Sequence, residues 1–442
     1  MPDHINNPSL QISKVYKYKQ DTGSNKKVLD FEADSGLMLI AAQFDSKWNN
    51  MANKSLYLSK IQLKAELDRC LDCKTKPCMN ACPVNCSPQE FISYAREGRF
   101  AEAVNTIARN NPMGQTCGLI CPDKFCMKAC TRSHIDFSVN IPKVQATILE
   151  NYRSSQDCSQ AVTPTGQNIA IIGAGPAGIA AAASLVREGC KVTIFEEKNE
   201  IGGALNLIPD DRLPHDVIEK DWKFIYNPDL ITLKLNTAVE EPLDLLDEFD
   251  GVIIATGEPN CVNLNIPGEE NCISYMEYLH HPAKYKTFGK VAVIGGGNVA
   301  ADCALTAANN GAAVVEMFVR RRLSDMRISK HEYLELINHM ININPLSSPE
   351  KIEVKNGSLS LYICKNHLKN GKFEPLPNSS IELPEYDLVI KAIGSFADPK
   401  SDDERIIYAG DCKHGGSTIV EAIASGRDAA LLMSQKLALA AE

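Results

Sequence analysis

Two stretches of the chain repeat one pattern of apolar and polar positions. In the first, a short apolar run at Ile169–Ile172 is followed by a glycine turn, an alanine-rich stretch and a second apolar run at Lys191–Phe195. The same order returns between Lys290 and Val319. Short apolar runs separated by a helix-length segment are typical of parallel strands joined by a crossover helix. The pattern predicts an α/β fold with two Rossmann-like (βαβ) nucleotide-binding domains on parallel sheets.

The chain before these two units has a helical character. Residues 1 to about 60 are polar and weakly patterned, and a helix is predicted to begin near Ser59. A second helix is predicted over Pro88–Ala108, where apolar residues recur at helical spacing. Residues 151–167 are rich in Ser, Gln and Thr, which is typical of a linker. We therefore expect an N-terminal α-helical domain that ends before the first strand.

Length, composition and charge are those of an ordinary globular protein. The 442 residues suggest about three domains, and a net charge of −9 argues against a nucleic-acid-binding surface. Residues 169–186 are uncharged and long enough to raise the question of a membrane span. Their glycines and Pro176 favour a strand, a turn and a helix instead. No secretory signal is visible, so we expect a cytoplasmic protein with no membrane contact.

The sixteen cysteines are concentrated in one part of the chain, since nine fall between Cys70 and Cys130. The first group reads Cys70-x2-Cys73-x4-Cys78-x3-Cys82-Pro with Cys86 close behind, and the second reads Cys117-x3-Cys121-Pro-x3-Cys126-x3-Cys130. In a reducing compartment such spacing indicates metal binding rather than disulfides. Soft thiolates at short spacing favour iron–sulfur clusters. Structural zinc is the alternative, although zinc sites usually use CxxC pairs and only one occurs here.

The first glycine turn has the features of a dinucleotide site. Gly173 allows a tight turn, Gly175 lets the backbone approach a pyrophosphate, and Gly178 lets helix and strand pack closely. The helix N-terminus then favours the phosphates. Glu196, at the end of the second strand, is placed to accept hydrogen bonds from a ribose hydroxyl, which fits the adenosine half of FAD. Gly203 follows, where backbone can come close to the flavin side of the ligand.

The second turn differs in the charge that follows it. It reads Gly295-Gly-Gly297-Asn298-Val-Ala300, and its second strand ends in Arg320-Arg321-Arg322, with Arg327 beyond. Arginines at this place can hold a 2′-phosphate by charge and paired hydrogen bonds, which favours NADPH over NADH. The alternative is a solvated basic strand end. Two such turns, each between a strand and a helix, are much stronger evidence than one.

Two later segments agree with a flavin-binding fold. Val252–Gly257 is an apolar run that ends in the small residues Ala255, Thr256 and Gly257. Tyr408-Ala-Gly410-Asp411 is another strand end, where a carboxylate can receive ribityl or ribose hydroxyls. Taken alone, each segment is equally well explained as an ordinary turn.

The combined motifs resemble a known family over about Ser59–Leu437. They are RCLDCKTKPCMNACP, NPMGQTCGLICPDKFCMKAC, IAIIGAGPAGIAAAASL with TIFEEKNEIGG, DDRLPHDV, IIATGEP, VAVIGGGNVAADCA with VRRR, and YAGD with STIVEAI. Together they are similar to the NAD(P)H-oxidising FAD and iron–sulfur subunits of the dihydropyrimidine dehydrogenase and glutamate synthase small-subunit family. The resemblance adds Arg212, Asn298 and Thr418, within three of these motifs, to the residues expected to bind cofactor.

The resemblance also implies which side chains hold two 4Fe-4S clusters. Cys70, Cys73, Cys78 and Cys130 would bind one cluster; Cys82, Cys121, Cys126 and Gln145 would bind the other. Glutamate synthase small subunits tend to have glutamate in place of Gln145, which favours the pyrimidine enzyme. Cys86 and Cys117 would then be spare. The chain departs from the pattern in a Cys121–Cys126 spacing one residue shorter than in some relatives, and in a short segment over residues 395–405.

The resemblance implies a helical domain with two 4Fe-4S clusters over residues 1–165, an FAD domain over residues 166–288 and 395–442, and an NAD(P)H domain over residues 289–394 inserted in it. Electrons would pass from NAD(P)H through FAD and both clusters to a partner. That partner would be an FMN-containing dihydropyrimidine dehydrogenase-like subunit or, alternatively, a glutamate synthase-like large subunit.

No residue is nominated as a catalytic acid or nucleophile. A disulfide reductase would need a cysteine pair beside the flavin, and no CxxC follows residue 166. A zinc-bound scaffold and a stand-alone NADPH:acceptor reductase remain as alternatives.

Overall fold

The computed structural model describes residues 17–18, 29–30, 56–153, 162–397 and 401–440. The chain divides into two compact units, Met1–Leu56 and Tyr57–Glu442. In the first unit, strands β1 (Lys17–Tyr18) and β2 (Leu29–Asp30) pair antiparallel. Most of the polar segment over residues 1–60, and part of the predicted linker, lie outside the described residues.

Six helices precede the first large sheet within the described part of the second unit. They are α1 (Lys60–Asp68), α2 (Pro77–Asn80), α3 (Pro88–Arg96), α4 (Phe100–Asn110), α5 (Gly114–Ile120) and α6 (Ile141–Tyr152). The predicted start near Ser59 is confirmed, because Ser59 caps α1. Its side chain accepts from the Gln62 backbone, and the Gln62 side chain accepts from the Ser59 N–H in return.

The prediction of one helix over Pro88–Ala108 is wrong, because the segment forms two helices, α3 and α4. The break lies at Gly98, whose φ of +80° is left-handed and whose N–H bonds to the Ala95 carbonyl. A left-handed glycine commonly ends a helix in this way. The break lets Phe91 on α3 and Ile107 on α4 both reach the core, where each is fully buried.

The first large sheet is fully parallel. Its strands lie in the order β18 (Ile406–Tyr408), β6 (Gly251–Ile254), β3 (Asn168–Ile172), β4 (Lys191–Phe195) and β5 (Ile231–Lys234). Helix α7 (Pro176–Arg187) follows β3, helix α8 (His215–Ile225) follows β4, and the long helix α13 (Ile419–Ala440) follows β18 and packs on α7. Among the described residues, no helix is long and apolar enough to cross a membrane.

The second large sheet is also parallel. Its order is β11 (Asn342–Pro345), β10 (Val314–Val319), β9 (Lys290–Ile294), β16 (Leu388–Lys391) and β8 (Ile273–Ser274). Helices α9 (Tyr275–His280), α10 (Asn298–Asn309) and α11 (Lys330–Asn338) accompany it. All five strands of this sheet come between β6 and β18 of the first sheet in the chain. The predicted fold class, helical segment plus two parallel Rossmann-like sheets, is confirmed.

A four-stranded antiparallel sheet was not predicted. It consists of β12 (Ser347–Lys355), β13 (Ser358–Lys369), β14 (Lys372–Pro375) and β15 (Ile381–Tyr386). Its buried residues, including Ile352, Leu361 and Ile363, form one core with Phe318 and Val389 of the second parallel sheet. A small antiparallel pair joins β7 (Asn260–Cys261) to β17 (Ser395–Phe396), and α12 (Asp411–His414) follows β18.

Candidate functional site

Four of the predicted cluster ligands line one pocket at the surface of the helical region. Cys70, Cys73, Cys78 and Cys130, the first thiol group, surround a space of about 360 Å³ that includes volume open to solvent. All four are half-buried, and none forms a disulfide. The structure therefore brings together side chains that are separated by up to 60 positions in the sequence.

The first thiol group is buried enough to disfavour free thiolates. Burial raises the pKa of Cys78 to about 11, and the neighbouring thiols of Cys70 and Cys130 add to the shift. Binding to a metal removes the proton of a thiol even when the pKa of the free thiol is raised. The Cys73 thiol also lies 3.4 Å from the Thr131 hydroxyl.

Five more thiols form a second thiol group deeper in the helical region: Cys82, Cys86, Cys117, Cys121 and Cys126. Cys86, Cys117 and Cys126 are buried. Burial raises the pKa of all five thiols, and for Cys86 the charges of Cys82, Cys126 and Cys121 raise it further.

The loop after Cys82 points backbone N–H groups at its sulfur. Val84, Asn85 and Cys86 all bond to this thiol through their backbones, and these bonds lower the pKa of Cys82 against the effect of burial. Asn85 takes a left-handed φ of +48° within the turn. Backbone donors aimed at one sulfur stabilise its thiolate form, which is the form that binds a metal.

Gln145 of helix α6 lies beside Cys86 of the second thiol group. Its amide nitrogen donates to the Gly114 carbonyl at 2.6 Å, and its Oε1 accepts from the Cys86 thiol at an S···O distance of 3.6 Å. Cys86, considered spare in the sequence, is thus in contact with the predicted fourth ligand. The sequence held one signal for this, namely its position four residues after Cys82.

Arg427 of helix α13 connects the second thiol group to the first sheet. Its guanidinium donates to the Val84 carbonyl at 2.6 Å and to the Asn110 carbonyl at 3.2 Å. Its charge also lowers the pKa of Cys82. Sequence reasoning missed Arg427, which stands in a helix far from any cysteine in the chain.

The donor sets fit iron–sulfur clusters. Within residues 56–153, 162–397 and 401–440, no three His, Cys, Asp or Glu side chains are close enough to hold a single metal ion. A cluster of several irons spreads its thiolate ligands more widely than one ion does. The four cysteines of the first pocket, and the N–H groups that surround Cys82, are the observations that support the fit.

The first glycine turn meets the ends of three strands. Gly173 has a left-handed φ of +103°, and a Cβ on it would stand 2.5 Å from the Ala255 carbonyl oxygen, so only glycine fits there. Glu196 is buried beside the turn, where its carboxylate accepts from the Ala174 N–H at 2.7 Å. Helix α7 begins at Pro176, and no side chain caps it. The first N–H groups of the helix therefore face the turn without a side-chain acceptor.

The other predicted flavin residues gather around this turn. Gly203 lies against Gly175, since a Cβ on Gly203 would be 3.1 Å from the Gly175 Cα. A Cβ on Gly410 would be 2.8 Å from the Ala177 side chain, close to the start of α7. Thr256 and Gly257 continue from Ala255 at the end of β6, and Gly178 packs under Gly173. These contacts bring the carboxyl ends of β3, β6 and β18 to one edge of the sheet.

Asp411 and Thr418 have partners of their own in this structure. The Ser417 hydroxyl donates to Asp411 at 2.5 Å, and burial raises the pKa of that carboxyl. Thr418 donates its hydroxyl to Glu421 at 2.5 Å at the start of α13. Both side chains follow β18 and so lie at the same sheet edge as Gly410.

The second glycine turn is built in the same way. Gly295 has a φ of +152°, and a Cβ there would collide with the Ala392 carbonyl. A Cβ on Gly297 would meet nothing within 4 Å, and α10 begins at Asn298 without a side-chain cap. The backbone of Arg327 bonds to the Gly296 carbonyl at 3.1 Å, which holds Arg327 beside the turn.

The neighbouring arginines follow the end of β10. Asn366 donates to the Arg320 carbonyl at 3.1 Å, and the Leu346 N–H donates to the Arg321 carbonyl at 3.0 Å. Arg320 and Arg327 are exposed. The Arg322 guanidinium pairs with Asp325 at 2.7 Å. Basic side chains thus border the second turn, whereas a buried carboxylate borders the first.

Arg212 forms an ion pair between the two sheet units. Its guanidinium contacts Asp302 on α10 and lies 3.3 Å from Glu332 on α11. Both carboxylates are buried. Burial raises the pKa of Asp302 to about 6, while the Arg212 charge opposes the shift.

Comparison with known families agrees with this arrangement. The pyridine nucleotide-disulphide oxidoreductase model matches residues 167–408, and the dihydropyrimidine dehydrogenase domain II, 4Fe-4S cluster model matches residues 47–157. The chain belongs to the pyridine nucleotide-disulphide oxidoreductase family. This oxidoreductase carries a 4Fe-4S domain in front of its nucleotide-binding sheets, as its motifs predicted.

Two curated relatives span nearly the whole oxidoreductase. The NAD-dependent dihydropyrimidine dehydrogenase subunit PreT of Escherichia coli K12 is 29% identical over 85% of this chain and 94% of its own length. The glutamate synthase [NADPH] small chain of the same strain is 28% identical over 84% of this chain and 91% of its own. Both relatives are subunits of larger enzymes, and the predicted family resemblance is confirmed.

A solved structure shows the same nucleotide-binding fold. Mycobacterium tuberculosis FprA in complex with NADPH superposes with a TM-score of 0.53 at 19% identity, covering 62% of this chain and 85% of that one. The oxidoreductase is thus an NAD(P)H-dependent enzyme with an FAD-type fold and 4Fe-4S chemistry. No CxxC follows residue 166 of this chain.

Proposed function

We propose that this chain passes electrons from NAD(P)H through FAD and two 4Fe-4S clusters to a partner subunit. The observation that carries the proposal is the link between the second thiol group and the first sheet through Arg427. When bound, FAD takes up an electron pair as hydride and releases electrons singly, which is the unit that iron–sulfur clusters accept. A thiol group fixed to the flavin sheet suits that transfer.

The residues of this chain bind and orient the nucleotides. The Gly173 turn and Glu196 hold the adenosine end of FAD, with Ala255, Thr256 and Gly410 beside it. The Gly295 turn and the start of α10 hold the pyrophosphate of the nicotinamide nucleotide. Arg320, Arg321 and Arg327 supply charge for a 2′-phosphate, so NADPH is the preferred donor. Arg212 serves to join the two nucleotide units.

The domain limits follow the order of the strands. We assign residues 1–165 to the cluster domain, residues 166–288 and 395–442 to the FAD domain, and residues 289–394 to the NAD(P)H domain. The assignment is supported by β18, which returns to the first sheet after the second sheet is complete. Strand β8 (Ile273–Ser274) pairs with the second sheet although it precedes residue 289.

All described cysteines are free thiols, which accords with a reducing, cytosolic location.

An anaerobic reduction experiment tests the electron path. NADPH, and separately NADH, is added to the purified chain while the visible spectrum is recorded. We expect the flavin bands to bleach and the broad cluster absorbance near roughly 400 nm to fall, with NADPH effective at lower concentration. A colourless protein, or flavin that bleaches without any cluster change, would contradict the proposal.

The partner docks beside the first thiol group. Three exposed apolar side chains form a rim beside it: Leu71, which lines the pocket and is 41% exposed, and Ile135 and Phe137, which follow the lining residue Arg132 in the chain and are 66% and 81% exposed. Arg69 and Arg132 anchor this rim through ion pairs with Asp136 at 3.1 and 2.7 Å. Exposed apolar side chains on a fixed rim mark a protein contact. All four thiols of the first group are half-buried, whereas three of the five in the second group are fully buried.

The proposed partner is an FMN-containing dihydropyrimidine dehydrogenase-like subunit, in accord with the dihydropyrimidine dehydrogenase named in the PreT relative, and a glutamate synthase-like large subunit is the alternative. We expect Phe137→Glu to lower electron transfer to the true partner at least about tenfold, since a buried charge is costly. Ferricyanide reduction by NADPH should stay unchanged. Val354→Glu is the matched control, because Val354 is 60% exposed on the antiparallel sheet. Equal losses in both variants would overturn this docking site.

A further inference from the structure

The antiparallel sheet holds the backbone of the arginine segment that follows β10. The Asn366 side chain on β13 donates from Nδ2 to the Arg320 carbonyl at 3.1 Å. The Leu346 N–H, just before β12, donates to the Arg321 carbonyl at 3.0 Å, and the Leu346 carbonyl accepts from the Asn366 N–H at 2.7 Å. Asn366 therefore holds Arg320 directly and Arg321 through Leu346.

The two residues that hold the arginine segment are themselves fixed. Asn366 is only 6% exposed, and its Nδ2 also donates to the Ser348 hydroxyl at 2.8 Å. Leu346 has a φ of +52°, a left-handed conformation that a large apolar residue rarely adopts. Such a conformation persists only where neighbouring contacts maintain it, and it is frequent in functional segments. The backbone bonds of Leu346 to Arg321 and Asn366 are contacts of this kind.

The other end of the arginine segment is held by the second glycine turn. The Arg327 N–H donates to the Gly296 carbonyl at 3.1 Å, and Arg327 forms a β-bridge with Gly297. The Arg322 guanidinium is already paired with Asp325 at 2.7 Å. The three other arginines, Arg320, Arg321 and Arg327, therefore stand on a segment whose backbone is fixed at both ends.

Resting on the proposed function, we propose that Asn366 is a positioning residue for nucleotide specificity. By holding the backbone of Arg320 and Arg321, it fixes the place from which their guanidinium groups meet a 2′-phosphate. A fixed backbone lowers the entropy that is lost when those bonds form. NADH has no 2′-phosphate and gains nothing from this arrangement. The antiparallel sheet, which contributes no residue to either glycine turn, thereby takes part in the selection of the cofactor.

Substitutions in the full chain test this role. Asn366→Leu keeps a similar size but removes the amide donor. Asn271→Ala is the matched control, because the half-buried Asn271 amide donates to the Gly268 carbonyl at 3.0 Å, a bond that involves no arginine. Binding of adenosine 2′,5′-bisphosphate and of adenosine 5′-monophosphate is measured by calorimetry. Stopped-flow flavin reduction gives kcat/KM for NADPH and for NADH, and bound FAD reports folding.

We expect Asn366→Leu to weaken binding of adenosine 2′,5′-bisphosphate about tenfold and to lower the NADPH:NADH ratio of kcat/KM by a similar factor. Binding of adenosine 5′-monophosphate and the kinetics with NADH should stay within about twofold, as should every value for Asn271→Ala. If Asn366→Leu is purified without FAD, Asn366→Ser replaces it. Its shorter hydroxyl does not reach the Arg320 carbonyl, so the same fall is expected.

Two results overturn the role of Asn366: an unchanged NADPH:NADH ratio in a variant that retains FAD, or an equal loss with both nucleotides. The second result would show that Asn366 only stabilises the fold. Failure of the proposed function gives a different result. An unmodified chain that prefers NADH refutes the 2′-phosphate role of the arginines, and a chain whose flavin neither nucleotide reduces refutes the electron path.

Discussion

Replacing Gly295 with alanine should greatly slow reduction by NAD(P)H while leaving the flavin and the clusters in place. A Cβ at this position would collide with the Ala392 carbonyl, and the φ of +152° is one that alanine rarely adopts. The turn would shift and withdraw the helix N-terminus from the pyrophosphate. We expect kcat/KM for NADPH to fall at least about 100-fold, equivalent to about 2.7 kcal/mol. Stopped-flow flavin reduction measures the effect.

Gly173→Ala provides the reciprocal control. This residue occupies the equivalent turn of the first sheet, where a Cβ would stand 2.5 Å from the Ala255 carbonyl oxygen. Its variant should lose bound FAD yet keep its iron, whereas Gly295→Ala should keep both. Dithionite should still reduce flavin and clusters in Gly295→Ala, since it bypasses the nicotinamide site. Loss of FAD in Gly295→Ala, or normal NADPH kinetics, would contradict the assignment of the two turns.

Arg212→Met should cause the second large effect, a loss of about 3 kcal/mol of stability near neutral pH. The variant leaves Asp302 and Glu332 buried without their cation, which usually costs about 3–5 kcal/mol. The lower end applies because the Arg212 side chain is 31% exposed. Urea unfolding followed by circular dichroism gives the difference. Arg322→Met, which breaks an exposed pair with Asp325, should change stability by less than about 0.5 kcal/mol.

The loss at Arg212 should depend on pH. Asp302 has a folded-state pKa of about 6, above its ordinary 3.8, so the folded chain holds its proton to higher pH than the unfolded chain does. A raised carboxyl pKa means that stability falls as pH rises through about 6. Arg212 opposes that fall, so its removal should cost more at about pH 7.5 than at about pH 5. An equal cost at both values would show that Arg212 contributes packing alone.

The sequence was most informative where local geometry leaves few choices. The turns at Gly173 and Gly295 combine a strand, a tight bend and a helix start in a few residues, so both parallel units were predicted correctly. Ser59 is equally local, because a capping box involves only four successive residues. The four cysteines of the first thiol group were recognised through a family pattern and not from spacing.

Long-range packing accounts for what the sequence did not predict. The antiparallel strands β12–β15 are stabilised by Phe318 and Val389 of another sheet, which local patterns cannot reveal. The break at Gly98 was overlooked because apolar residues continue at helical spacing on both sides of it. The contacts of Arg212 with two buried carboxylates from later helices were likewise not predicted, because they depend on the packing of the two sheet units. The contact between Cys86 and Gln145 was not predicted either, because only the fold brings these two side chains together.

The position of α13 has a consequence for how the protein is made. Strand β18 completes the first sheet. Arg427 of α13 donates to the carbonyl of Val84 in the loop after Cys82, which is 343 positions earlier in the chain. During synthesis on the ribosome, both elements emerge only after the whole second sheet. The loop after Cys82 therefore has no contact with Arg427 while more than two thirds of the chain is translated. Assembly of its metal site is expected to be a post-translational event, timed by the slowest long-range contact in the fold.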